Sequence, residues 1–130
     1  MAIKDYRTEI TSSSRTFTGK ERVKMKDLSL AAGIDATVTP DQPFQLHVAD
    51  WAVVHVENDR AKDGNSKAYD TLILIDNEGR KFNSGSPSLM ESFLDIWEEM
   101  SGEDEDYDII IYQRPSRNRP DKYFLTCSIA

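Results

Sequence analysis

From Pro43 onward the apolar residues mostly alternate with polar ones, and one stretch only breaks that rhythm with the spacing of a helix. Phe44, Leu46 and Val48 alternate with Gln45, His47 and Ala49, and the apolar run continues from Trp51 to Val56. Successive side chains of a strand point to opposite faces, so this segment predicts one long bent strand or two short ones. Within it Ala52, Val54 and Val56 read as core, which turns Trp51, Val53 and His55 the other way. Tyr69–Ile75 is rich in β-branched residues, Asp76-Asn77-Glu78-Gly79 turns the chain, and Arg80-Lys81-Phe82 returns it as a hairpin. Asp108–Gln113 and Lys122–Ile129 form a second hairpin around Arg114–Pro120, a loop with proline at both ends. The exception is Ser88–Met100. There Leu89, Phe93, Ile96, Trp97 and Met100 share one helical face, Ser88 and Glu91 supply a capping box, and Gly102 is a natural stop.

The order is strands, hairpin, helix, hairpin, with no repeat and no βαβ series. It predicts a mainly β domain with one helix. Five antiparallel strands with the helix between strands 3 and 4 is the order of an OB-fold barrel, and the spacing also allows an open α+β sheet. Residues 1–22 are polar, include Thr11-Ser12-Ser13-Ser14, and read as a flexible or irregular arm. Residues 23–36 fit either a strand or a short helix ending at Gly33. Residues 23–130 then make a single OB-like domain, large enough to bury a core without disulfides or metal.

The net charge of −7 argues at first against nucleic acid, but its distribution changes that. Glu98, Glu99, Glu103, Asp104, Glu105, Asp106 and Asp108 account for all of it, so the rest of the chain is neutral. Residues 1–26 carry seven Lys/Arg against three acids. Residues 109–130 carry Arg114, Arg117, Arg119 and Lys122 against Asp121 alone. Acidic and basic faces can therefore coexist. Cys127 is the single cysteine, which suits a reducing compartment. No apolar run has the length of a membrane span, and the first residues lack the apolar segment of a signal peptide. A cytoplasmic protein, with no membrane partner, is expected.

Enzyme chemistry finds little support. His47 and His55 lie eight residues apart in a strand region, without Cys or Glu at ligand spacing, so no metal is expected. Cys127 sits in an apolar strand, where a thiol is buried and inert. The glycines match no phosphate loop, and Asn83–Pro87 reads as the turn into a helix. No carboxylate pair stands out as acid and base, and the 103–106 run lacks calcium-loop spacing. No catalytic residue and no cofactor are expected.

Single-stranded nucleic acid is gripped by aromatic faces under the bases and by cations along the phosphates. Here the two residue types interleave. Arg80, Lys81 and Phe82 lie on the first hairpin, and Tyr112, Arg114, Arg117, Arg119, Lys122 and Tyr123 surround the second. Arg60, Lys62, Lys67 and Tyr69 flank the polar loop between strands, and Trp51 heads a strand on the non-core parity. In an OB-fold the loops of the first and last hairpins frame the binding cleft. Trp97, on the apolar face of the helix, reads as core.

The run from Trp51-Ala52-Val53-Val54-His55-Val56 through Tyr69-Asp70-Thr71-Leu72-Ile73-Leu74-Ile75-Asp76-Asn77-Glu78-Gly79-Arg80-Lys81-Phe82 resembles single-stranded-DNA-binding proteins encoded by phages of Gram-positive bacteria. So does the ending, Ile109-Ile110-Ile111-Tyr112, Pro115-Ser116-Arg117-Asn118 and Lys122-Tyr123-Phe124-Leu125-Thr126-Cys127-Ser128. The resemblance covers residues 40–130 and rests on order and spacing. It implies an OB-fold that coats and protects single-stranded DNA in phage replication or recombination, without sequence preference or cofactor. By position it implies DNA contacts from Tyr69, Arg80, Lys81, Phe82, Tyr112, Arg114, Arg117 and Lys122. The acidic stretch Glu98–Asp108 departs from that picture, because it cannot lie along DNA. Either it faces away from the DNA or it marks a site for a replication or host protein. A rival reading follows from it, a small acidic phage protein that inhibits a host protein by mimicking DNA. Self-association through a sheet edge is compatible with either.

Overall fold

The computed structural model describes residues 6–27, 29, 31–58 and 67–130. Its central element is β4 (Val48–Asn58), which is apolar at both parities. A strand of that kind needs a cover on each face. On one face lie Trp51 and Val53, and on the other Ala52, Val54 and Val56, all buried. β5 (Lys67–Asp76) pairs antiparallel along β4, with Leu74 opposite Trp51 and Leu72 opposite Val53. β1 (Tyr6–Ser13) pairs on the other side, through a register shift between Ile10 and Ser12. β6 (Lys81–Ser84) returns beside β5, and the two-residue β2 (Ala32–Gly33) lies parallel to β6. The resulting five-stranded sheet has the order β1-β4-β5-β6-β2. A separate three-stranded sheet, β3-β7-β8, contains β3 (Phe44–Leu46), β7 (Ile109–Pro115) and β8 (Tyr123–Ile129). Only His47 separates β3 from β4, so the chain changes sheets at that residue.

Two cores result. The larger joins Trp51, Val53, Leu72, Leu74 and Phe82 of the large sheet to Ile109, Ile111, Leu125 and Cys127 of the small one, with Leu89 and Phe93 of α3 (Pro87–Met100) between them. The smaller packs Ala52, Val54, Val56 and Ile73 under Phe17 and under Met25 of α1 (Gly19–Lys26). A third helix, α2 (Ile34–Thr37), buries Ile34 and ends at the buried Val38. None of the described helices is long and apolar enough to cross a membrane.

Mainly β architecture is as expected, but among the described residues eight strands in two sheets replace the five-stranded barrel, and three helices replace one. The sheets do not close into a barrel, and α3 supplies a physical reason. Bonds from Ala130 N to Asp108 O and from Ser116 N to Lys122 O fix which residues of β8 face β7. By alternation the Leu125 carbonyl then points to the free edge. There Ser88 Oγ donates to it at 2.7 Å, and the Ser92 hydroxyl meets that of Thr126 at 2.7 Å. The helix thus occupies the edge that barrel closure would use. Ser88 is consequently not the cap. Ser86 accepts from Leu89 N, with Pro87 in the first turn.

The expected N-terminal arm also differs. Residues 6–13 are a strand, because Ile10 packs at the smaller core and the β-branched Thr8 and Thr11 suit an edge. The following turn carries a full capping box, Thr18 with Glu21, which starts α1.

Candidate nucleic-acid interface

The β7–β8 hairpin gathers six of the expected contacts. Its inner face, Ile109, Ile111, Leu125 and Cys127, is core. By pairing, the outer face holds Ile110 opposite Ser128, Tyr112 opposite Thr126, and Arg114 opposite Phe124. Tyr112 is half-buried and Arg114 exposed. Phe124 is 38% exposed, a large cost for a phenyl ring at the end of a strand. Tyr112 and Phe124 are diagonal neighbours across the ladder, within mutual reach and beside the Arg114 guanidinium. The connecting loop is held by Ser116 N to Lys122 O and Lys122 N to Arg119 O, both at 2.8 Å. It presents Arg117, Arg119 and Lys122 to solvent, and Tyr123 stands 51% exposed at its end. Among the described residues, the arginines that hold carboxylates are Arg15 and Arg80. The loop cations therefore keep their full attraction for an anion.

Phe124 was not singled out by the spacing of charges and aromatics, yet its signal was present. With Leu125 and Cys127 facing the core at alternate positions on either side of Thr126, Phe124 must face outward.

The other expected residues lie elsewhere. Trp51 is 4% exposed, packed edge-on against Phe93 and Trp97 at 5.7 and 5.8 Å, because α3 covers the face that was expected to be open. Phe82 is 7% exposed and meets Phe44 edge-to-face at 5.1 Å. Neither ring offers a face to a base. Lys81 reaches the other way, donating from Nζ to the carbonyls of Lys24 and Asp27, where it caps the end of α1. Burial pushes its ammonium pKa down. Arg80 is held by Asp76, with Nε to Oδ2 at 2.6 Å. Burial alone would raise the Asp76 pKa, but the backbone N–H and guanidinium of Arg80 and the N–H of Glu78 hold it below the usual range. Tyr69 is 51% exposed on β5, across from Val56 on the α1 side of the large sheet. Arg60, Lys62 and the Asp63–Ser66 turn lie outside the described residues, as does the Lys67 side chain.

The acidic stretch sits at the opposite end of the small sheet. His47 is bracketed by Asp108 at 2.7 Å and Asp106 at 3.1 Å, and Gln45 donates to Asp108 at 2.8 Å. The Gln45 and His47 contacts hold the Asp108 pKa down. His55 is bracketed likewise, by Asp70 at 2.8 Å and Glu57 at 3.2 Å, and those bonds raise its pKa. Among the described residues no group of three or more His, Cys, Asp and Glu is arranged to hold a metal. Burial pushes the Cys127 thiol up to about 12, so it is not a nucleophile at neutral pH.

No protein-family model, curated protein or solved structure matches this chain. The functional reading therefore rests on the chain's own residues.

Proposed function

We propose that the chain binds single-stranded DNA without sequence preference, through the outer face and loop of the β7–β8 hairpin. One observation carries the reading, the outward pair Tyr112 and Phe124 beside Arg114 on one face of the hairpin, with Arg117, Arg119 and Lys122 exposed on its loop and Tyr123 exposed on the opposite face next to it. Rings stack on bases of any identity, and cations follow the phosphates. The likeness of residues 40–130 to single-stranded-DNA-binding proteins of phages supports a role in phage replication or recombination, in the bacterial cytoplasm and without cofactor. The acidic end of the same sheet limits the path. β7 spans about 20 Å at about 3.3 Å per residue, so a strand laid along it leaves the cations and meets Asp108 within that length. Crossing the hairpin near its loop avoids that repulsion.

The test is fluorescence anisotropy of labelled oligo-dT at low and moderate salt. Tryptophan emission is a poor reporter, since Trp51 is core and Trp97 lies on α3. Saturable binding that weakens with salt is expected. No binding at low salt would end this reading and turn attention to a host protein that docks on Glu103–Asp106.

A further inference from the structure

Away from the hairpin, a cavity of about 770 Å³ is framed by α1, the β5–β6 turn, α2 and β3. Its floor is apolar, made by Phe17, Met25, Ile75 and Phe82, with Phe44 at the side. Over this floor one arrangement occurs twice. The Arg15 guanidinium lies over the Phe17 ring at 4.7 Å, and that of Arg80 over Phe82 at 5.9 Å. Volume and lining are those of a site for a small organic molecule.

Charge narrows its class. The lining cations are Arg15, Lys24, Arg80 and Lys81, against Glu21 and Asp50. Arg15 is committed to Glu21 and Asp50, and Arg80 to Asp76 and Glu78. Glu21 is held down to about 2, by the Arg15 guanidinium first and by Thr18 next, so it stays an anion bound to that arginine. Lys24 and Lys81 differ. Lys24 is exposed, and Lys81 donates to two backbone carbonyls. The nearby Asp27 carboxylate is engaged by the N–H and hydroxyl of Ser29. A Lys ammonium has three donors, so both lysines can receive an incoming anion.

We infer that this cavity is a binding site for a planar aromatic molecule bearing one negative group, the ring stacked on the guanidiniums that cover the phenylalanine floor and the anion against Lys24 and Lys81. The planar guanidiniums of Arg15 and Arg80, lying over those two rings, favour a flat π-system that stacks on them. The site is separate from the hairpin and does not depend on its role.

The experiment is a titration of the full chain with 8-anilinonaphthalene-1-sulfonate, whose emission rises on leaving water. Saturable one-to-one binding is expected. Ala32→Trp puts an indole into the cavity from an exposed position of β2 and is expected to weaken binding at least tenfold. Lys24→Ala removes one exposed charge contact, worth up to about fivefold. The uncharged analogue N-phenyl-1-naphthylamine is expected to bind more weakly, and Phe124→Ala is expected to change nothing. Near-UV circular dichroism confirms that each variant is folded. Should Ala32→Trp fail to fold, Thr37→Trp fills the same space from α2. Absence of saturable binding, or binding that survives the filling variant or is abolished by Phe124→Ala, overturns the site. Equal affinity for the uncharged analogue overturns the anionic class.

Discussion

Replacing Arg114, Arg117 and Lys122 together with alanine isolates the electrostatic share of the hairpin. All three side chains are exposed, so little stability is lost, within about 0.5 kcal/mol for each position. Four hairpin cations, Arg114 on β7 with Arg117, Arg119 and Lys122 on the loop, can each neutralise one phosphate. Each such contact on a single strand contributes about 0.7 to the slope of log K against log salt, so the intact loop predicts a slope of about −2.8. Raising salt fourfold, from about 50 to about 200 mM, then weakens binding about 50-fold. The triple variant keeps Arg119 alone, the slope falls to about −0.7, and the same change costs between two- and threefold. Anisotropy titrations of labelled oligo-dT at several salt concentrations measure both slopes. An unchanged slope in a folded variant would remove the loop from the interface, whatever the absolute affinity.

Phe124→Ala removes the most exposed ring of the outer face and should weaken oligo-dT binding by about 1–3 kcal/mol, five- to 150-fold, in the same assay; an unchanged affinity would mean that bases do not stack there. Trp51→Phe should leave that affinity alone. Its indole N–H has no hydrogen-bond partner among the described residues, so the change should also cost little stability, whereas Trp51→Ala opens a cavity and should cost about 3–5 kcal/mol by urea denaturation. Asp76→Ala deletes a buried carboxylate that accepts from Glu78 N, Arg80 N and Arg80 Nε at 3.0, 2.7 and 2.6 Å. A loss of about 2–4 kcal/mol is expected, and a loss below about 1 would show that the turn holds itself. His55, raised by Asp70 first and Glu57 next, and paired across the ladder with Glu9, contributes stability that is full below its unfolded-state pKa of about 6.5. That contribution is lost as pH rises through the higher folded pKa. The gap in melting temperature between wild type and His55→Gln should thus be wider at about pH 5.5 than at about pH 9, and equal gaps would show that the carboxylates do nothing for folding.

Strand order between Phe44 and Ile129 was legible because each strand alternates or runs apolar as its burial demands. The Asp76–Gly79 turn with Gly79 at φ 85° and the helix through Met100 follow from local chemistry, whereas the alternation around His47 fits one bent strand as well as the two strands that meet there. What local chemistry does not carry is which faces meet. β4 is apolar at both parities, and a reading that assigned one parity to the core left Trp51 outside it. The second cover, α3 over Trp51 and α1 over Val54, comes from packing between segments far apart in the sequence. The same holds for the open sheet. That α3 would donate from Ser88 to the Leu125 carbonyl, and so occupy the edge of β8, depends on a helix–strand approach that no spacing encodes. The capping box at Thr18 and Glu21 was different, a local signal hidden by the polarity of the segment around it.

The charges show why hairpin and acidic stretch belong to one account. Were the seven acids spread over the surface, a net charge of −7 would oppose a polyanion from every side. They are instead concentrated where α3 runs out and β7 begins, with Asp106 and Asp108 drawn onto His47, while the loop cations stand at the far end of the same two strands. Screening at physiological salt acts over about 8 Å, and the ends of β7 are about 20 Å apart, so the loop's field survives its acidic neighbour. On the proposed function, a nucleic acid approaching that sheet would be attracted at one end and turned away at the other, which would restrict its footprint to the turn of the hairpin. Neutralising Glu103–Asp106 should therefore leave the loop's salt slope unchanged and lengthen the shortest oligo-dT that binds at full affinity. A steeper slope with no change in minimum length would show instead that the acids shield the cations directly.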